Sequence, residues 1–166
     1  MKSSKAVAQT ALLTALAVLF GYVESLVPAF IPVAGVKLGL GNIAVVSALY
    51  LLGEKRAWAV CIFKILLCAL LYGGFSPFLY SLCGGILSMA MQCFAKRTTL
   101  FSVSGVSALG AIFHNVGQIV CASFIIGKAV IYYLPVLIVT GGIGGFITGI
   151  VSAIIIKRGG ELLGQR

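Results

Sequence analysis

VIYYLPVLIVTGGIGGFITGIVSAIII occupies positions 130–156 without one charged residue, and Lys157-Arg158 follow at once. A helix needs about 20 apolar residues to cross the hydrocarbon core of a bilayer. The stretch therefore predicts a spanning helix that stops at an aqueous face. The same reading repeats toward the N-terminus, with spans at Ala6 to Val27, Ala57 to Tyr72, Phe78 to Phe94 and Val103 to Ile126. Pro28 and Pro32 end the first span and open a loop that runs to about Gly41. A second span, from Leu38 or Gly41 to Gly53, is short and glycine-interrupted. It is either partly re-entrant or begins inside the preceding loop. The expected fold is an all-α, polytopic bundle of six transmembrane helices, with residues 1–166 forming a single integral membrane domain.

Composition requires the same solvent. The chain is 61% hydrophobic and 9% charged, with a mean hydropathy of +1.17, whereas soluble domains are about half apolar and a quarter charged. A net charge of +9 would suggest nucleic acid in a soluble protein. Here the charges sit in short clusters between apolar runs, where they orient helices in a bilayer and meet anionic headgroups. No nucleic-acid partner is expected. With the N-terminus inside, the inner segments hold Lys2, Lys5, Lys55, Arg56, Lys96, Arg97, Lys157, Arg158 and Arg166, and the outer loops hold Lys37 and Lys128. That nine-to-two bias predicts a plasma-membrane protein with both termini in the cytoplasm. Lys2 and Lys5 before an apolar run have the form of a signal peptide, but no small-residue cleavage site follows, so a retained first span is expected. Cys61, Cys68, Cys83, Cys93 and Cys121 lie in apolar runs with no CxxC, and read as small side chains packed between helices. No metal site or cofactor is expected.

Ionisable and strongly polar groups within spans are costly and single out candidate sites. Lys64 stands at the middle of the third span, between Cys61 and Cys68, too far from either interface to snorkel. It needs an anion, either Glu24 or a bound solute. Glu24, near the outer end of the first helix, is one of three acidic residues and is read as an interfacial group or an ion-pair partner of Lys64 or Lys37. The fifth span carries the single histidine in His114-Asn115-Val116-Gly117-Gln118, and the i,i+4 spacing puts His114 and Gln118 on one face. His114 reads as a packed residue or, with Asn115 and Gln118, as part of a cavity wall. In GVKLGLGN (35–42), glycines permit close backbone approach to a ligand, Lys37 supplies a positive charge and Asn42 can cap the next helix. The GxxxxGK[ST] spacing is absent, so ATP is not bound by that route.

Helices in lipid associate through close packing of small residues. Gly141, Gly145 and Gly149 recur every fourth residue and predict a packing groove inside the bundle, as do Gly84-Gly85 and Ser88. On the first helix, Ala11 and Ala15 form an AxxxA strip suited either to a neighbour in the chain or to a separate membrane subunit.

GVKLGLGN (35–42), FSPFLYSLCGG (75–85), FSVSGVSALGAIFHNVGQ (101–118) and YYLP (132–135) resemble the Gx transporter family, also labelled heptaprenyl diphosphate synthase component I. That family in turn resembles the substrate-binding S components of energy-coupling factor (ECF) transporters. The resemblance implies a six-helix fold that captures a vitamin-like solute outside and docks on a coupling subunit with ATPases. It also implies docking through the AxxxA strip, here Ala11 and Ala15. The synthase label meets a chemical obstacle, because prenyl elongation by the usual route needs aspartate-rich motifs to hold magnesium and the sequence contains no aspartate.

The expectation is a non-enzymatic substrate-capture subunit of a transporter, with Lys37, Asn42, Lys64, His114, Asn115 and Gln118 contacting the solute. Its cationic groups favour an anionic or polar solute such as a flavin, an isoprenoid or quinone precursor, or a vitamin-like acid. The alternative is a noncatalytic membrane subunit or anchor for an enzyme of prenyl diphosphate or quinone synthesis.

Overall fold

The computed structural model describes residues 2–26 and 39–162. They form six α-helices in chain order: α1 Lys2–Leu26, α2 Leu40–Leu51, α3 Glu54–Cys68, α4 Phe75–Thr98, α5 Val103–Ile125 and α6 Leu134–Leu162. A π-helical turn, Ala69–Gly73, extends α3, and a 3-10 segment, Lys128–Tyr133, precedes α6. Five of these elements are long and apolar enough to cross a membrane, α3 and α6 counted with their extensions. Six helices were expected and six are found, though the 12 residues of α2 rise only about 18 Å against a hydrocarbon core of about 30 Å.

That shortest helix is the centre of the bundle. From Ile43 to Leu49 every residue of α2 is buried, with α1, α3, α5 and α6 around it. Large apolar side chains face outward from the surrounding helices instead, among them Leu12, Phe63, Phe124 and Ile154. This inverts a soluble fold, and it follows from a surround of hydrocarbon in which leucine and phenylalanine lose nothing by exposure.

Both ends of α2 are secured by other helices. At its C-terminus Lys96 Nζ donates to the Leu49 carbonyl at 2.7 Å and lies over the Tyr50 ring, meeting a carbonyl that the helix end leaves unpaired. At its N-terminus the Gly39 N–H donates to the Glu24 carboxylate of α1. Gly39 has φ +76, a left-handed conformation that glycine adopts without a Cβ penalty.

The glycine groove expected on α6 is an internal seam. A Cβ on Gly145 or Gly149 would strike the α5 backbone near Ala108 or Ser104. Gly117 of α5 meets the Cys83 carbonyl of α4 just as closely. The cysteines divide: Cys61 and Cys93 are core residues, Cys68 and Cys121 are half-buried and Cys83 is exposed.

The basic clusters gather at one end of the bundle. Arg97 donates to Glu54 through Nε at 2.9 Å and also through Nη2, joining the end of α4 to the start of α3, while Lys55 and Arg56 stand beside Ala6 of α1. Gly159 of α6 packs on Leu51 at the same end.

Candidate functional site

At the opposite end a cavity of 370 Å³ opens between the helices, lined by Glu24, Asn42, Lys64, His114, Asn115 and Gln118 among others. Sites for small molecules span about 300–1,000 Å³. Five residues expected to share a site therefore do share one wall system, drawn from α2, α3 and α5. Lys37, the sixth, lies outside the described residues, as does the loop around it.

Each side chain is held by the local packing. Lys64 sits ten residues into the 20-residue span that begins at Glu54, and it reaches the start of α2 because position 41 is glycine. A Cβ on Gly41 would stand 2.8 Å from both Lys64 Cε and Nζ. Asn42 Oδ1 accepts from Gln92 Nε2 at 3.1 Å, and Asn42 Nδ2 points to Ser107 Oγ at 3.4 Å. Asn115 Nδ2 donates to the Leu137 carbonyl at 2.6 Å. Gly84 admits the Gln118 and His114 side chains against α4.

The pairing of Glu24 with Lys64, one of two expected alternatives, is not found. Among the described residues the ion pair is Arg97–Glu54, and Glu24 is engaged by the Gly39 N–H. The carboxylate satisfies one of the unpaired N–H groups at a helix start, which sequence separation did not reveal. Lys64 consequently makes no hydrogen bond or ion pair among the described residues.

Several wall and floor residues were not anticipated. Tyr72 and Phe78 line the cavity, as do Ser88 and Thr148. Beneath them Gln92 is wholly buried, donating also to Ser88 Oγ at 3.3 Å, with its own Oε1 unpartnered among the described residues. The available signal was Ser88 and Gln92 at i,i+4 within an apolar span, the same signal that exposed His114 and Gln118.

A second concavity of 660 Å³ runs between α1 and α3, lined by Thr10, Ala11, Thr14, Ala15, Phe63 and Leu67 with Lys55 and Arg56 also on its wall. Ala11 and Ala15 are exposed there rather than packed within the chain. The threonine hydroxyls bond their own helix, Thr10 to the Ala6 carbonyl and Thr14 to that of Thr10.

An all-α, multi-pass membrane protein whose few polar side chains meet around one cavity is the class these features define. The model of the family described as heptaprenyl diphosphate synthase component I matches residues 13–155, and the chain belongs to that family, known also as the Gx transporter family. No curated protein and no solved structure matches it.

Proposed function

We propose that the protein is a noncatalytic substrate-capture subunit of a transporter, binding a small anionic or polar solute in the cavity. The observation that carries this reading is Lys64. An ammonium halfway along a membrane-spanning helix demands an anion. Yet Glu24 bonds Gly39, Glu54 bonds Arg97 and Glu161 lies on the last turns of α6. A solute carboxylate or phosphate meets the need. Asn42, Asn115 and Gln118 then supply directional hydrogen bonds, and Tyr72 and Phe78 supply apolar contact.

On this reading the basic end faces the cytoplasm and the cavity opens outward. The strip of Ala11 and Ala15 docks a membrane partner, in the manner of an ECF coupling subunit with its ATPases, which powers release inward. Lys37, two residues before Gly39 in the sequence, is assigned as a second cation for the solute. Equilibrium binding to the purified protein tests the site. Lys64→Ala and His114→Ala are expected to weaken binding of a validated anionic ligand by at least about tenfold, and unchanged affinity removes these residues from the site.

The family's description favours a second reading, a noncatalytic membrane subunit anchoring a soluble enzyme of prenyl diphosphate synthesis on its basic end. Affinity purification from native membranes separates the two. A coupling subunit with ATPases supports transport, whereas a prenyl synthase supports the anchor.

A further inference from the structure

The geometry points to a fixed hydrogen-bond polarity in the cavity, a donor pole at Lys64 and Asn42 and an acceptor pole at Asn115 Oδ1. The matching solute is anionic at one end and carries an N–H or O–H donor at the other. This rests on the capture reading of the same cavity and adds the class of solute that it takes.

An amide can present either its oxygen or its nitrogen to a ligand, so the sense of each is set by what holds the other atom. For Asn115 the anchor is the Leu137 carbonyl, which can only accept. The amide nitrogen must face it, and Gly141 of α6 leaves the notch in which that nitrogen sits. The oxygen, with no partner among the described residues, is left to the cavity.

For Asn42 the anchor is Gln92. Its amide lies in a notch where a Cβ on Gly110 would come within 2.6 Å of both Cγ and Cδ. The nitrogen donates to Asn42 Oδ1 and to Ser88 Oγ, leaving Gln92 Oε1 unpartnered among the described residues. Turning both amides over would instead bury the two N–H groups of Gln92 without acceptors. An unpaired donor is rarer in folded proteins than an under-used oxygen, so the observed sense is the stable one. Asn42 therefore has its oxygen occupied and its nitrogen available, bound only by the long contact to Ser107. Gln92 and Gly110 act as positioning residues through it. Lys64, against Gly41 next door, puts the positive charge at the same pole.

The spacing of the poles sets a size. Asn42 is level with Ser107, and Ser107 precedes Asn115 by eight residues on α5, about 12 Å of rise. Side-chain reach and a hydrogen bond of about 3 Å at each end take up part of that rise, so the solute between the poles is short, on the order of one para-substituted benzene ring.

The test is calorimetric titration of the full chain in detergent with 4-aminobenzoate, with benzoate, which lacks the donor, and with methyl 4-aminobenzoate, which lacks the charge. 4-Aminobenzoate is expected to bind at least about tenfold more tightly than either, since each analogue leaves a polar group of the site unpaired. Asn115→Leu is expected to lower 4-aminobenzoate to the affinity of benzoate without moving benzoate, a selective change that a merely structural asparagine would not give. Equal binding of benzoate and 4-aminobenzoate, both above the ester, overturns the polarity while anion capture stands. An ester that binds as well as the acid overturns the cationic pole. Absence of binding by all three overturns the polarity and the capture reading together. The wild-type titrations decide these outcomes even if the variant fails to fold.

Discussion

Gly149 of α6 lies so near Ser104 of α5 that a Cβ on the glycine would stand 2.5 Å from the Ser104 Cα. Backbone cannot move aside as a flexible side chain can, so the contact fixes the distance between the two helices. Thr148, the adjacent residue, meets Ser107 across the same seam at 3.4 Å, and it lines the cavity. The wall of the cavity therefore depends on how closely α5 and α6 approach.

Gly149→Ala is expected to cost about 1–3 kcal/mol, the range for overpacking a tight interior. Gly142→Ala is the control, because its Cβ would meet Ile112 at an ordinary 3.5 Å, and it should change stability by less than about 0.5 kcal/mol. Unfolding of detergent-solubilised variants by denaturant compares them directly.

Lys64→Met separates a ligand contact from a structural ion pair. Breaking a buried pair typically costs about 3–5 kcal/mol. Lys64 has no such partner among the described residues, so its loss should leave solute-free stability within about 0.5 kcal/mol of wild type or raise it. The melting temperature in detergent is the readout, and a fall of several degrees would restore a structural role.

Ser102→Ala should destabilise the protein by about 1 kcal/mol, because Ser102 Oγ accepts the Gly105 N–H at 3.2 Å at the start of α5. Ser102→Asp retains the acceptor and should keep stability near wild type. Denaturant midpoints for the two variants settle the comparison.

Orientation is open to chemical labelling. Leu100 and Lys128 are both exposed, at opposite ends of α5. In a chain with its five cysteines replaced by alanine, Leu100→Cys should react with a membrane-impermeant maleimide only after cells are opened. Lys128→Cys should react in intact cells. The reverse pattern would invert the topology.

Much of the candidate site was legible in the residues. Lys64, His114, Asn115 and Gln118 stand out because polar groups in apolar spans are costly whatever the fold, and Asn42 stands out at the end of the glycine-rich GVKLGLGN segment. Gln92 carried the same mark, four residues after Ser88 in an apolar span. The partner of Glu24 was not legible, since carboxylate, lysine and backbone N–H compete by distance alone.

Sequence by itself determined the solvent, the number of helices and the clustering of basic residues, because hydropathy and charge act locally along the chain. Tertiary structure alone decided that the short α2 would occupy the centre, that Glu24 would bond Gly39 and leave Lys64 without an ion-pair partner among the described residues, and which neighbour each amide would bond. Those outcomes depend on contacts between residues far apart in sequence, where a missing Cβ or a single carbonyl selects one arrangement from several that composition permits equally.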